Sequence, residues 1–297
     1  MNKRQQLIPL SKLNLTDRFL FEEVMEDPQA HQEALSIIFG REVPLLEHNE
    51  AEKEMRISPE ARSIRMDIFS VDRERTVYNT EMQAQRRADL SKRSRYYQSL
   101  VDISLLEPGI PDYSQLNESY IIMITPFDLF GFGKYQYTFQ AECREEPGCV
   151  LEDGATRIFL NTRGTNDEEV SKELVEFLHY LEDTTDETAA NATSERVKRI
   201  HDRVRKVRDS EEIGVRYMQA WEEKYYEKEE ARNEGRAEGL KEGIAQGHAS
   251  GLQEGSENKL KELIQKKLEK GKSVEEIADA LEEDVETIQE LIREMGI

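Results

Sequence analysis

Ser63-Ile64-Arg65-Met66-Asp67-Ile68-Phe69-Ser70-Val71-Asp72-Arg73-Glu74-Arg75-Thr76-Val77-Tyr78-Asn79-Thr80-Glu81-Met82-Gln83 reads as two β-strands around a short polar link. Both flanks are rich in β-branched and aromatic residues, and Asp72-Arg73-Glu74-Arg75 suits a hairpin turn. Side chains two apart in a strand share a face. Glu81 and Gln83 therefore project together, while Met82 points away and leaves its carbonyl near the edge. If the strands pair, Asp67 lies beside Glu81. Two carboxylates, the Met82 carbonyl and water make a hard oxygen site suited to Mg²⁺ or Mn²⁺. Such an ion activates water and neutralises charge on a phosphate. Taken alone the spacing is a common one, because strand carboxylates are usually solvated or paired.

Outward from this pair, Asp17 to Phe39 carries apolar residues at helix spacing, with a break near Asp27-Pro28. Thr16 or Asp17 suits the first cap, and Gly40 the stop. Further strands are expected at Tyr120–Thr125, Tyr135–Gln140 and Arg157–Asn161. A long helix is expected over Asp89–Leu106, ended by the Pro108-Gly109 breaker, and another over Val170–Leu181. A basic helix over Arg196–Arg208 shows one apolar stripe of Val197, Ile200, Val204 and Val207. Strands and helices mixed in this order indicate an α/β or α+β sheet domain.

The glycines at 235, 239, 243, 247, 251 and 255 keep a strict period of four among good helix formers. Each costs a helix roughly 1 kcal/mol against alanine. Either a tightly packed helix pair or dimer recovers that cost, or the segment is a soft spacer. From Lys259 onward a small module resembles a helix-turn-helix, with Ser273-Val274-Glu275-Glu276 as a capping box. Its last helix is acidic, which favours oligomerisation or packing over groove reading. The expected organisation is thus 1–215 as a core domain, 216–258 as a glycine-periodic arm and 259–297 as the helical module.

The net charge of -21, from 62 acidic and 41 basic residues, argues by itself against nucleic acid. A site that holds metal ions supplies its own positive charge, however. Two cysteines, Cys143 and Cys149, are too few for a disulfide framework and suit a reducing cytoplasm. No long apolar run suggests a signal peptide or membrane span. The five histidines are scattered and join no nucleophile, and Gly131-Phe132-Gly133-Lys134 is too short for a phosphate loop. Behind the acidic pair, Arg86, Arg87, Lys92, Arg93 and Arg95 with Tyr96 and Tyr97 offer phosphate contacts and an aromatic face for a splayed base. The competing reading is a solvated basic face over a tyrosine core contact.

The ordered segments Thr16-Asp17-Arg18-Phe19, Arg65-Met66-Asp67-Ile68, Tyr78-Asn79-Thr80-Glu81-Met82-Gln83, Lys92-Arg93-Ser94-Arg95-Tyr96-Tyr97, Tyr120-Ile121-Ile122-Met123-Ile124 and Ile158-Phe159-Leu160-Asn161-Thr162-Arg163-Gly164 resemble the Rpn family of recombination-promoting nucleases. That family is also described as PD-(D/E)XK family transposases. The resemblance covers roughly residues 10 to 215. It implies an α/β fold, a PD-(D/E)XK restriction-endonuclease-like core of mixed sheet flanked by helices, with an all-α C-terminal extension. It further implies a bacterial, cytoplasmic, divalent-metal-dependent DNA endonuclease tied to recombination, mobile-element transfer or phage defence. By position, Asp67 and Glu81 become metal ligands, Gln83 the counterpart of the motif lysine, and Asp17 the helical acid able to join the site. The DNA contacts fall on Arg86, Arg87, Lys92, Arg93 and Tyr97. Two departures matter. Gln83 orients water but carries no positive charge, and Leu20 stands where members often have lysine. A catalytically quiet interaction or regulatory protein with the same fold is the alternative. RNA in place of DNA is a third reading.

Overall fold

The computed structural model describes residues 7–55, 64–105 and 112–297. The expectations for residues 1–6, for Ser63, for Leu106 and for the Pro108-Gly109 breaker lie outside them.

Six strands form one mixed sheet: β1 (Leu46–Met55), β2 (Ile64–Asp72), β3 (Val77–Met82), β4 (Ser119–Thr125), β5 (Gln136–Phe139) and β6 (Ala155–Asn161), in the order β1-β2-β3-β4-β6-β5. The β2–β3 hairpin is antiparallel, with Ile68 opposite Thr80. Strands β3, β4 and β6 run parallel, and β5 returns antiparallel on the far edge. The sequence reading missed β1. Its stretch Glu47-His48-Asn49-Glu50-Ala51-Glu52-Lys53-Glu54 carries almost no apolar alternation, and only the ladder to β2 holds it. Charge on an exposed edge strand also discourages pairing with another chain.

Helix α1 (Arg18–Met25) begins where the Asp17 carboxylate accepts from the Phe19 amide. Helix α2 (Pro28–Phe39) starts with Asp27 as cap and proline in the first turn, and stops at Gly40 in the left-handed region, φ 63°. These two helices pack on one face of the sheet with α4 (Lys172–Glu182) and α6 (Glu195–Arg208). Their Phe21, Val24, Leu35, Phe177 and Val204 share a core with Ile68, Tyr78, Met82, Ile122 and Ile124. Helix α3 (Leu90–Leu105) covers the other face, where Leu90, Tyr97, Leu100 and Val101 meet Met66, Val77, Ile121 and Met123. Strand β4 thus sends alternate residues into two cores, as a strand buried on both faces must. The polar stretch between α4 and α6 contains the short α5 (Asp186–Asn191).

The basic run on α6 does not face outward as one surface. Arg196 pairs with Glu33, Glu42 and Glu173, Arg199 with Glu33, and Arg208 donates to the Leu13 and Thr184 carbonyls. It ties the helical layer together. The turn after β6 depends on a close approach: a Cβ built on Gly164 would lie 2.3 Å from the Tyr135 ring. Gly164→Ala is expected to displace that ring and cost about 1–3 kcal/mol, read as a lower denaturation midpoint.

The chain divides into two compact units, 1–220 and 221–297. Helix α7 (Glu211–Leu268) is continuous over 58 residues, and its glycines at 235 to 255 face open space. The second unit closes with α8 (Val274–Leu281) and α9 (Val285–Met295) around Ile264, Ile277, Ile288 and Leu291. Ser273 and Glu276 form the reciprocal capping box that opens α8.

Candidate active site

Continuing the β2–β3 register one step past Ile68 and Thr80 sets Asp67 opposite Glu81. The two residues lock together through the backbone. The Asp67 amide donates to Glu81 Oε1 at 2.9 Å, and the Met82 amide donates to Asp67 Oδ2 at 2.9 Å. Each carboxylate is only 2 % exposed. Two buried acids side by side resist ionisation together. Burial and then the Asp67 charge push Glu81 up to about 8. Burial likewise raises Asp67, against the opposing pull of Arg18 and the Met82 amide.

Two arginines reach the pair from different helices. Arg18 on α1 places Nη2 2.8 Å from Asp67 Oδ1, while its Nε donates to Glu22 Oε1 at 2.6 Å. Arg93 on α3 places Nη2 3.4 Å from Glu81 Oε2 and donates from Nη1 to Gln83 Oε1 at 3.0 Å. Its Nε donates to the Tyr97 hydroxyl at 2.6 Å. Glu22 is itself buried and within hydrogen-bonding reach of Asp67. Burial, reinforced by the Asp67 charge and opposed by Arg18, pushes Glu22 up to about 7. Fully ionised, Asp67, Glu81 and Glu22 exceed Arg18 and Arg93 by one negative charge. All the acids are oxygen donors with lone pairs left over, which fits a hard divalent cation. Among the described residues no cluster of three or more His, Cys, Asp or Glu has metal-holding geometry. The site offers a carboxylate pair, with Glu22 engaged by Arg18 beside it.

The residues foreseen from sequence separate into two sets. Asp67, Glu81, Met82, Gln83, Arg93 and Tyr97 come together. Asp17 does not join them: its carboxylate caps α1 at the Phe19 amide, and the acid that α1 presents to Asp67 is Glu22, one turn further on. Arg86 lies 6.0 Å from the Phe127 ring centre, Arg87 pairs with Asp89 at 3.1 Å, and Lys92 is exposed on α3. Tyr97 is 2 % exposed, so its ring is core and cannot stack on a base. Arg18 and Glu22 were missed, although their spacing puts both on one helix face. His31, one of the five scattered histidines that join no nucleophile, is structural. It is fully buried beneath the hairpin, bonded to Ser70 Oγ at 2.7 Å and Thr80 Oγ1 at 2.9 Å, and burial holds it neutral with a pKa near 4. It braces both site strands from below.

A mixed sheet whose antiparallel hairpin carries two facing carboxylates, with helices on both faces, is the arrangement of the PD-(D/E)XK nuclease class. Within it, residues 38–234 match the family described as PD-(D/E)XK nuclease family transposase. That span is well over half of the 297 residues, and the chain belongs to this family. Helix α1, with Arg18 and Glu22, precedes the matched span. Comparison with curated proteins and with solved structures returned no match.

Proposed function

We propose that this protein is a divalent-metal-dependent DNA endonuclease, with Asp67, Glu81 and the Met82 carbonyl as ligands for Mg²⁺ or Mn²⁺. The observation that carries the reading is the buried Asp67–Glu81 pair, held by reciprocal backbone bonds. When bound, the ion supplies an activated water and neutralises charge on the phosphate. The chain's own groups do the positioning. The Met82 amide fixes Asp67, the Asp67 amide fixes Glu81, and Arg18 holds Glu22 beside Asp67. The exposed basic residues of the Arg86–Arg95 stretch hold the DNA backbone, with Arg87 leaving Asp89 to do so.

The biological setting we infer is recombination or transfer of mobile DNA, or phage defence, in a bacterial cytoplasm. No helix among the described residues is long and apolar enough to cross a membrane. Self-association through the α7 glycines, which are open to a second helix, would bring two sites to one duplex. One observation favours a catalytically quiet protein instead: an arginine already faces each carboxylate. The experiment is cleavage of duplex DNA, single-stranded DNA and RNA with Mg²⁺, Mn²⁺ or chelator, beside calorimetry of Mn²⁺ binding. DNA cleavage only with metal supports the proposal. Absence of both cleavage and metal binding supports the quiet reading.

A further inference from the structure

We propose that Arg93 is the catalytic cation of this site, and that Gln83 is its positioning residue rather than the residue that orients water. The inference rests on the nuclease reading and names the group that stabilises the transition state.

The position just past β3 where the motif normally carries a lysine is Gln83, a neutral amide. Phosphodiester hydrolysis places extra negative charge on the phosphate oxygens, and a fixed cation there is worth a large part of the barrier. Gln83 cannot provide it, and both ends of its amide are engaged. Its oxygen accepts from Arg93 Nη1 at 3.0 Å, and its nitrogen donates to the Gln85 carbonyl at 3.0 Å. Anchored at Gln85, the amide presents an acceptor to the guanidinium. Tyr97 completes the bracket from one helical turn away, accepting from Nε at 2.6 Å, with its ring centre 5.0 Å from the guanidinium carbon.

The geometry distinguishes Arg93 from its basic neighbours. Its side chain is 26 % exposed, against 51 % for Arg87, and among the described basic residues of the Arg86–Arg95 stretch it is the one paired with Glu81. A guanidinium has five N–H donors. Gln83, Glu81 and Tyr97 use three of Arg93's, leaving one on each Nη for a substrate. Free N–H groups on a planar, always-charged fork suit the oxygens of a phosphate. The long 3.4 Å contact to Glu81 is the weakest of the three and the one that gives way when a bound cation claims that carboxylate. The charge absent from the strand thus returns from the helix behind it.

The test uses the full chain with saturating duplex DNA and Mg²⁺, measured in single turnover, with Mn²⁺ calorimetry alongside. Arg93→Met is expected to slow cleavage about 10²–10³-fold while Mn²⁺ affinity holds or tightens, since a cation leaves the neighbourhood of Glu81. Gln83→Ala is expected to slow it less. The double variant Gln83→Lys, Arg93→Met restores a charge from the strand and is expected to regain most of the rate, which a purely structural role for Arg93 would not allow. Wild-type rates in Arg93→Met, or a defect that saturating DNA removes, overturn the proposal and leave the nuclease reading standing. A wild-type protein that cleaves nothing with any metal overturns both.

Discussion

Asp67→Ala is expected to reduce metal-dependent DNA cleavage by at least about 10³-fold and to abolish measurable Mn²⁺ binding. The substitution removes one of two ligand carboxylates. It also removes the acceptor for the Met82 amide and the counter-charge for Arg18. The amide becomes a buried unpaired donor, at a cost of about 1–3 kcal/mol. Arg18 still has Glu22 and swings toward it. Asp67→Asn separates the contributions, because its amide oxygen still accepts from Met82 while the negative charge is gone. Its NH2 then faces Arg18, so its denaturation midpoint falls, but by less than that of Asp67→Ala, and it still fails to cleave. Asp67→Ala protein that keeps its circular dichroism and cleaves at the native rate would show that the scissile chemistry lies elsewhere. Asp67→Asn that binds Mn²⁺ as tightly as native protein would remove Asp67 from the ligand set.

The hairpin that builds this pair was legible because local signals and tertiary packing agree there. Residues 64–72 and 77–82 are β-branched and aromatic, the link is polar, and the acids fall where an antiparallel register makes them neighbours. Helices α1 to α4 were legible for the same reason, from the cap at Thr16 or Asp17, the break near Asp27-Pro28, the stop at Gly40 and apolar periodicity. What the sequence hid is long-range. Strand β1 has the composition of a charged loop, and only its ladder with β2 makes it a strand. The site's counter-charges were hidden too. Arg18 lies 49 positions before Asp67 and Arg93 lies 12 after Glu81, and each looks like a helix-surface residue until the helix is laid on the sheet. Asp17 was named because it matches a motif position, and Glu22 was not considered. Helix geometry turns residue 17 into the cap and residue 22 toward the pair. Tyr97 was misjudged for a related reason: its position on α3 makes it core, and only its hydroxyl reaches the site.

Glu81→Gln is expected to move activity and stability in opposite directions. Cleavage falls sharply because a ligand charge is lost. Stability of the metal-free protein, in chelator, rises at pH 8 and changes little at pH 5. The sign follows from linkage. Burial and the neighbouring Asp67 raise the folded-state pKa of Glu81 from an ordinary 4.5 to about 8. Between those values the folded protein keeps a proton that the unfolded chain has released. Stability is therefore greatest below about pH 4.5 and falls as pH rises through the folded pKa. The loss by pH 8 is on the order of 3 kcal/mol, reduced below the full shift because Asp67 and Glu22 share the proton and the arginines partly answer the charge. Glutamine is neutral throughout, and its oxygen keeps the acceptor for the Asp67 amide. Its amide nitrogen faces Arg93 across what was already a 3.4 Å contact, so little is lost there. Urea midpoints of native and variant protein at pH 5 and pH 8 are the measurement. A variant destabilised equally at both pH values would mean that Glu81 is ionised throughout and firmly paired with Arg93. Adding Mn²⁺ to native protein at pH 8 should recover the lost stability by mass action. The same addition to Glu81→Gln should recover little, because the charge that strains the pair in chelator is also the charge proposed to hold the ion.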